Sequence, residues 1–233
     1  MIAVFHRQWK ALAHSKTFYL FLTLVALGLG GLIAMFHGSY QYANFEFVLW
    51  YFSVLFAFLL PILTLHSFSE ERKNGTGDFL KALPISAKEI VLGKLLAGSA
   101  LLLVISVVLL VIPILLGLWG SVYYPSAYVA IFAFFLFSVA MLALDTFLAL
   151  MFKNSWVALG VTYAVMAAML GLYYLSALLP TPLSEAVTHA SVFGSYSSFV
   201  FGMVDLSAIA LYLSIGALFG FLSILFANKV WKE

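Results

Sequence analysis

Apolar side chains fill six long runs of the chain, separated by short polar stretches. A helix needs roughly 20 residues to cross a hydrocarbon layer about 30 Å thick. Runs of that length lie at 18–36, 45–67, 92–118, 127–150, 156–178 and 206–228. They are continuous, as in LLLVISVVLLVIPILLGLW, and lack the alternation of a transmembrane barrel, so helices are predicted. Ahead of the first run, Ile2, Phe5, Trp9 and Leu12 recur at helical spacing, with His6, Arg7, Lys10 and His14 on other faces. This pattern predicts an N-terminal helix lying along a membrane interface. The plainer alternative is a basic flank that only sets topology. A basic segment leading into an apolar run also suggests a signal peptide, but the run is long and GLIAMFHG offers no A-x-A pattern. An uncleaved helix is expected.

Composition supports the pattern. With 65% hydrophobic and 9% charged residues among 233, the chain cannot be solvated as a globule. It has no cysteine, which excludes a disulfide scaffold and any thiolate site. A net charge of +2 is too small to draw nucleic acid. The distribution of charge is more informative. Arg7, Lys10 and Lys16 precede the first span; Arg72, Lys73, Lys81, Lys88 and Lys94 follow the second; Lys153 follows the fourth; Lys229 and Lys232 follow the sixth. Six crossings put all 11 basic residues on one side. The positive-inside rule makes that side cytoplasmic, with both termini inside. The expected fold is therefore an all-α integral membrane protein with six transmembrane helices, N-in and C-in, forming a single transmembrane domain over 1–233.

Soluble chemistry is concentrated between Ser67 and Lys94, which holds nine of the 20 charged residues, five basic and four acidic. That mixture suits a protein partner better than anionic lipid. Asn74 and Gly75 can end the helix leaving the second span. Thr76 can cap, and Asp78 can support, a short helix GDFLKAL that Pro84 stops. Ser86 with Glu89 is a capping-box signature opening the third span. Phe79, Leu80 and Leu83 give the short helix an apolar side that needs a membrane surface or a docked protein. Glu70 and Lys73, three residues apart, could alternatively be a solvated ion pair.

The segment SFSEERKNGTGDFLKALPISAKEIVLGKLLAG resembles the stretch after the second helix of ABC-2 type transporter permeases. Glu70, Glu71, Arg72, Gly75, Thr76, Leu80, Pro84, Ile90, Val91, Leu92, Gly93 and Lys94 follow the family's order, while Gly77-Asp78-Phe79 departs from its more usual Leu-Glu-Leu. The segment covers about 32 residues, and the six-span layout extends the likeness over the chain. Within the family it is similar to the compact permeases of gliding-motility and nitrous-oxide-reductase accessory systems.

The resemblance implies a permease subunit in a prokaryotic cytoplasmic (inner) membrane, exporting its substrate. It also implies pairing with a second permease, identical or homologous, and with cytosolic ABC ATPase subunits. Residues 70–83 would be the coupling helix that docks the ATPase, through Glu70, Glu71, Arg72, Lys73, Gly75, Thr76, Asp78, Phe79, Leu80 and Leu83. ATP and Mg would be held by that partner, because this chain has no G-x-x-x-x-G-K-[ST] and no cofactor site of its own. An ion-coupled secondary transporter is the competing transport class, and a non-transporting membrane anchor for a cytosolic complex is a third. Several intramembrane charges or paired broken helices would favour the first of these; the sequence offers Pro61, Pro113 and one acid.

That acid is Asp145, taken as the exception within a span and a candidate for the cytoplasmic end of a substrate path, with a bond to a neighbouring helix or to water as the structural alternative. His6, His14, His37, His66 and His189 show no metal-ligand pairing, and Met166 and Met169 read as packing. Ser191, Ser195, Ser197 and Ser198 near His189 lack the elbow of a serine nucleophile. The segment 180–205 is too apolar for a plain loop, and either a re-entrant or an interfacial helix is expected there. Ala26, Gly30 and Ala34, and Gly216 with Gly220, set small residues on helix faces that could pack within the subunit or across a dimer.

Overall fold

The computed structural model describes residues 2–39, 44–73, 86–118, 120, 122–152 and 154–230, and of residues 2, 3, 12, 13, 37–39, 65–73, 87 and 230 it describes the backbone alone. Those residues form ten helices and no strand: α1 (Ile2–His14), α2 (Lys16–Ser39), α3 (Phe45–Lys73), α4 (Ala87–Leu109), α5 (Val111–Gly117), α6 (Tyr124–Met151), α7 (Ser155–Ser176), α8 (Thr181–Ala190), α9 (Val192–Val200) and α10 (Leu206–Val230). Six segments are long and apolar enough to cross a membrane, and they coincide with the six runs read from the sequence.

Local chemistry sets the helix boundaries. Ser86 caps α4 in a capping box: its hydroxyl accepts from the Glu89 N–H at 3.3 Å and the Ser86 N–H donates back to the Glu89 carboxylate at 3.2 Å. Asn154 caps α7 by accepting from the Trp156 N–H, Ser191 caps α9 through Gly194, and the Asp205 carboxylate accepts from the Ser207 N–H at the start of α10. Such caps contribute about 0.5–2 kcal/mol each. The third span is interrupted at Leu110, between α4 and α5. Pro113 explains the break, since it lacks an N–H and its ring crowds the carbonyl four residues back, at Leu109. Pro61, by contrast, is accommodated inside a continuous α3.

Helix α6 lies at the centre, packed against α3, α4, α7, α9 and α10. Lipid tails are as apolar as leucine, so helices associate in a membrane through close packing rather than through escape from water. Small residues permit it: Ala127, Ala130, Ala133, Ala140, Ala143 and Ala149 on α6 are all buried. Aromatic rings fill the wider gaps. Phe134 meets Phe52 and Phe56 of α3, and Phe137 meets Phe193 and Tyr196 of α9 and Tyr212 of α10. The small-residue faces separate into two cases. Gly216 brings α10 within van der Waals contact of Ala140, so that face packs inside the subunit, whereas Ala26, Gly30 and Ala34 on α2 are exposed.

The segment 180–205 folds as a helical hairpin. Helix α8 has no buried residue, while α9 is buried among the spans and runs antiparallel to α6, from Phe193 beside Phe137 to Val200 beside Ser126. The Tyr196 hydroxyl donates to the Ala130 carbonyl at 2.8 Å along the way. Of the two expected arrangements, insertion among the spans is the one observed for α9. Gly194 permits the tight fold, because a Cβ there would lie 2.4 Å from the Thr188 carbonyl oxygen. Gly202, at φ +73°, then turns the chain into α10.

At the other end of the bundle, α1 packs on α4. Val4 sits on Gly93 so closely that a Cβ at Gly93 would lie 2.7 Å from Val4 Cγ1. Val4 and Gln8 are buried, while His6, Arg7, Lys10 and His14 stay exposed. The predicted N-terminal helix is present, and part of its less polar side is taken up by protein. Gly93→Ala should therefore destabilise the protein by about 1–3 kcal/mol through overpacking. Val4→Ala in the same chain should recover part of the loss, as read by thermal unfolding of the detergent-solubilised protein.

Candidate functional site

The 29 residues of α3 make a helix about 43 Å long. Its membrane-crossing part, Phe45–Thr64, accounts for about 30 Å of that length. The same helix continues to Lys73, with Glu70, Glu71, Arg72 and Lys73 in its last turn. Gly75, Thr76, Asp78, Phe79, Leu80 and Leu83, and with them the short helix expected there, lie outside the described residues. The chain is described again from Ser86, where the capping box starts α4.

Several elements gather at this end. Helix α1 rests on α4 at Gly93; Val91 of α4 packs on Ala227 of α10 together with Leu150 of α6; Ala149 of α6 packs on Ala158 of α7. Arg7, Lys10, Lys16, Lys88, Lys94 and Lys229 belong to the helix ends collected here, whereas Glu46, Glu185 and Asp205 belong to the opposite end. The charge asymmetry of the sequence is thus a spatial separation between the two ends of one bundle. A hydrogen-bonded helix moves nearly as a rigid unit. Further along α3, the rings of Phe52 and Phe56 meet Phe134 of α6.

Asp145 lies on α6 with zero exposure, and neither carboxylate oxygen has a hydrogen-bond partner. It is fully enclosed in this packing. Other hydroxyls inside the spans satisfy themselves locally: Ser106, Thr146, Thr162 and Ser223 each donate to the carbonyl four residues back at 2.7–2.8 Å. Ser138 does not, and its buried hydroxyl has no partner either.

A second buried acid went unread in the sequence. Glu46, in the first turn of α3 and 6% exposed, accepts a short hydrogen bond from the hydroxyl of Ser126 in the first turn of α6. Asp145 is therefore not the lone exception within a span. The Ser126 oxygen is also 3.5 Å from the Val200 carbonyl, and the turn at Gly202 lies against the Ser126 side chain. One carboxylate and one hydroxyl thus join α3, α6 and the end of the α9 hairpin. The sequence signal was a glutamate at a helix start, where the dipole favours negative charge. Its pairing with a serine 80 residues away could not be read locally.

The serines around His189 serve structural ends. Ser191 caps α9, Ser195 donates to the His189 carbonyl, Ser197 to the Gly194 carbonyl, and Ser198 to Asp205. The His189 ring faces the Asp205 carboxylate at 3.8 Å. The order is therefore serine, aspartate, histidine, whereas a nucleophilic triad places histidine in the middle.

Ser126→Ala should lower stability by about 1–3 kcal/mol, because it strands a buried carboxylate. In Glu46→Gln the loss on adding Ser126→Ala should be smaller. A double-mutant cycle read by thermal unfolding checks the coupling.

Against known proteins, no curated protein matches the chain as a relative. The profile of the family described as ABC-2 family transporter protein matches residues 6–196, spanning α1 through most of α9. That match covers most of the chain and all but the last of the six spans. The chain belongs to the ABC-2 transporter family, as a multi-pass membrane component of an ABC transporter.

Proposed function

We propose that this chain is the permease of an ATP-driven exporter, working with a second permease subunit, identical or homologous, and with cytosolic ABC ATPase subunits that bind and hydrolyse ATP with Mg. In this reading both termini and the 65–85 segment face the cytoplasm of a prokaryotic cell, and the six spans lie in its cytoplasmic membrane. The observation that carries it is the overhang of α3. A family permease needs a stiff connection between a motor outside the membrane and helices within it, and a charged helical extension continuous with a span supplies one.

Coupling would run through residues 70–83. Glu70, Glu71, Arg72 and Lys73 would make the polar contacts to the ATPase. Phe79, Leu80 and Leu83 would give the apolar side of the docking element. Motion would then pass along α3 to α6 and, through the Glu46–Ser126 bond, to the α9 hairpin, which would respond at the far end. A substrate path that used Asp145 would have to open where α6 meets its neighbours. The close approach of α1 to α4 at Gly93 would link the N-terminal helix to the span that follows the coupling segment.

The double charge reversal Glu70→Lys with Glu71→Lys should abolish recovery of the ATPase in a pulldown while leaving the permease level in the membrane unchanged. Undiminished recovery of the ATPase would remove residues 70–83 as the coupling element.

A further inference from the structure

Asp145 poses an electrostatic problem that no hydrogen bond from the described residues solves. A carboxylate enclosed in a low-dielectric interior costs several kcal/mol unless a positive charge or hydrogen-bond donors compensate it. Both Asp145 oxygens are buried without a partner. Among residues whose side chains are described, the helices packed on α6 carry Glu46 and Tyr51 on α3, Lys88, Glu89 and Lys94 on α4, Tyr163, Tyr173 and Tyr174 on α7, Tyr196 on α9, and Tyr212 and Lys229 on α10 as titratable or charged groups. None of them hydrogen-bonds the carboxylate, and Tyr163, which lies within its electrostatic reach, is itself an acid.

Helices α6 and α7 are consecutive and antiparallel, and Ala149 packs on Ala158 near their junction. One turn further from the junction stand Asp145 on α6 and Thr162 on α7, the latter also fully buried. Thr162 donates its proton to the Ala158 carbonyl, as Thr146 does to Leu142, so both hydroxyl oxygens keep lone pairs to offer. Two turns away from Asp145 on the same helix face, Ser138 presents the other buried oxygen without a partner. No group of three or more His, Cys, Asp or Glu residues suited to a metal ion occurs among the described residues. A single carboxylate balances one positive charge, and a divalent ion would leave an excess charge in the same poor dielectric.

We propose that Asp145, with Thr162 at the matching turn of α7, is the binding site of one small monovalent cation, either a proton or a sodium ion. Binding favours the packed arrangement of the two helices, and their separation releases the cation to water. The site lies within the permease and does not depend on the ATPase partnership, so each can fail without the other.

Two measurements on the full chain in lipid or detergent separate the sources. Thermal unfolding is followed in sodium chloride against choline chloride at equal ionic strength. Infrared difference spectra between wild type and Asp145→Asn are recorded at neutral pH in sodium-free buffer. Sodium binding predicts a melting temperature raised by about 2–4 °C or more in sodium, no rise in Asp145→Asn, and a reduced rise in Thr162→Val, which keeps the carboxylate. Proton binding predicts no sodium effect and a carbonyl stretch of a protonated carboxylic acid that disappears in Asp145→Asn. That band should persist in Glu46→Gln, which isolates it from the other buried acid. A carboxylate showing neither the sodium response nor the protonated band would overturn the proposal, since its charge would then be neutralised by some other means.

Discussion

Inside a hydrocarbon layer a peptide group without a hydrogen-bond partner costs several kcal/mol, and this constraint governs the rest of the structure. It makes each span a helix, and it places caps where spans begin, at Ser86, Asn154 and Asp205. It also explains why span hydroxyls bond back to their own helix, as Ser106, Thr162 and Ser223 do. Where Pro113 removes a donor, the third span breaks into α4 and α5 instead of running on strained. Against that background Ser138 and Asp145 stand out among the described residues, because their buried oxygens have no hydrogen-bond partner.

The second consequence is a division of labour among helices. With no hydrophobic gain from helix association in lipid, contact must come from shape, and α6 supplies it with alanines that let five neighbours approach. Helix α2 turns Leu20, Leu27 and Met35 outward, an arrangement suited to lipid and not to water. A central helix touched by α3, α4, α7, α9 and α10 is where a displacement from either end of the bundle must pass. Phe134 meets the α3 overhang's own helix, and Ser126 meets the hairpin's end.

Much of this was legible in one dimension. A hydrophobic run of sufficient length is a helix whatever surrounds it, so the six spans, the capping box at Ser86 and Glu89 and the N-terminal helix could be read without tertiary information. The one-sided placement of the basic residues likewise needed only a count of crossings. The ordered string from Glu70 to Lys94 pointed to the same family that the match over residues 6–196 establishes. Its docking residues, from Glu70 onward, stay expectations on sequence grounds.

What the sequence could not contain is which distant groups meet. Glu46 reads as an ordinary helix-start acid, and only the fold brings Ser126 to it across 80 residues. The segment 180–205 is ambiguous because α8 and α9 are similar in length, and burial against Phe137 alone distinguishes the inserted helix from the exposed one. Small-residue faces look alike on α2 and α10, yet one is exposed and the other packs on Ala140. Asp145 could be named from its cost in a membrane, but that its oxygens lack a protein partner is a fact about five packed helices. Periodicity and length act through the local backbone and are written residue by residue; pairing acts through space, and only the packed bundle decides it.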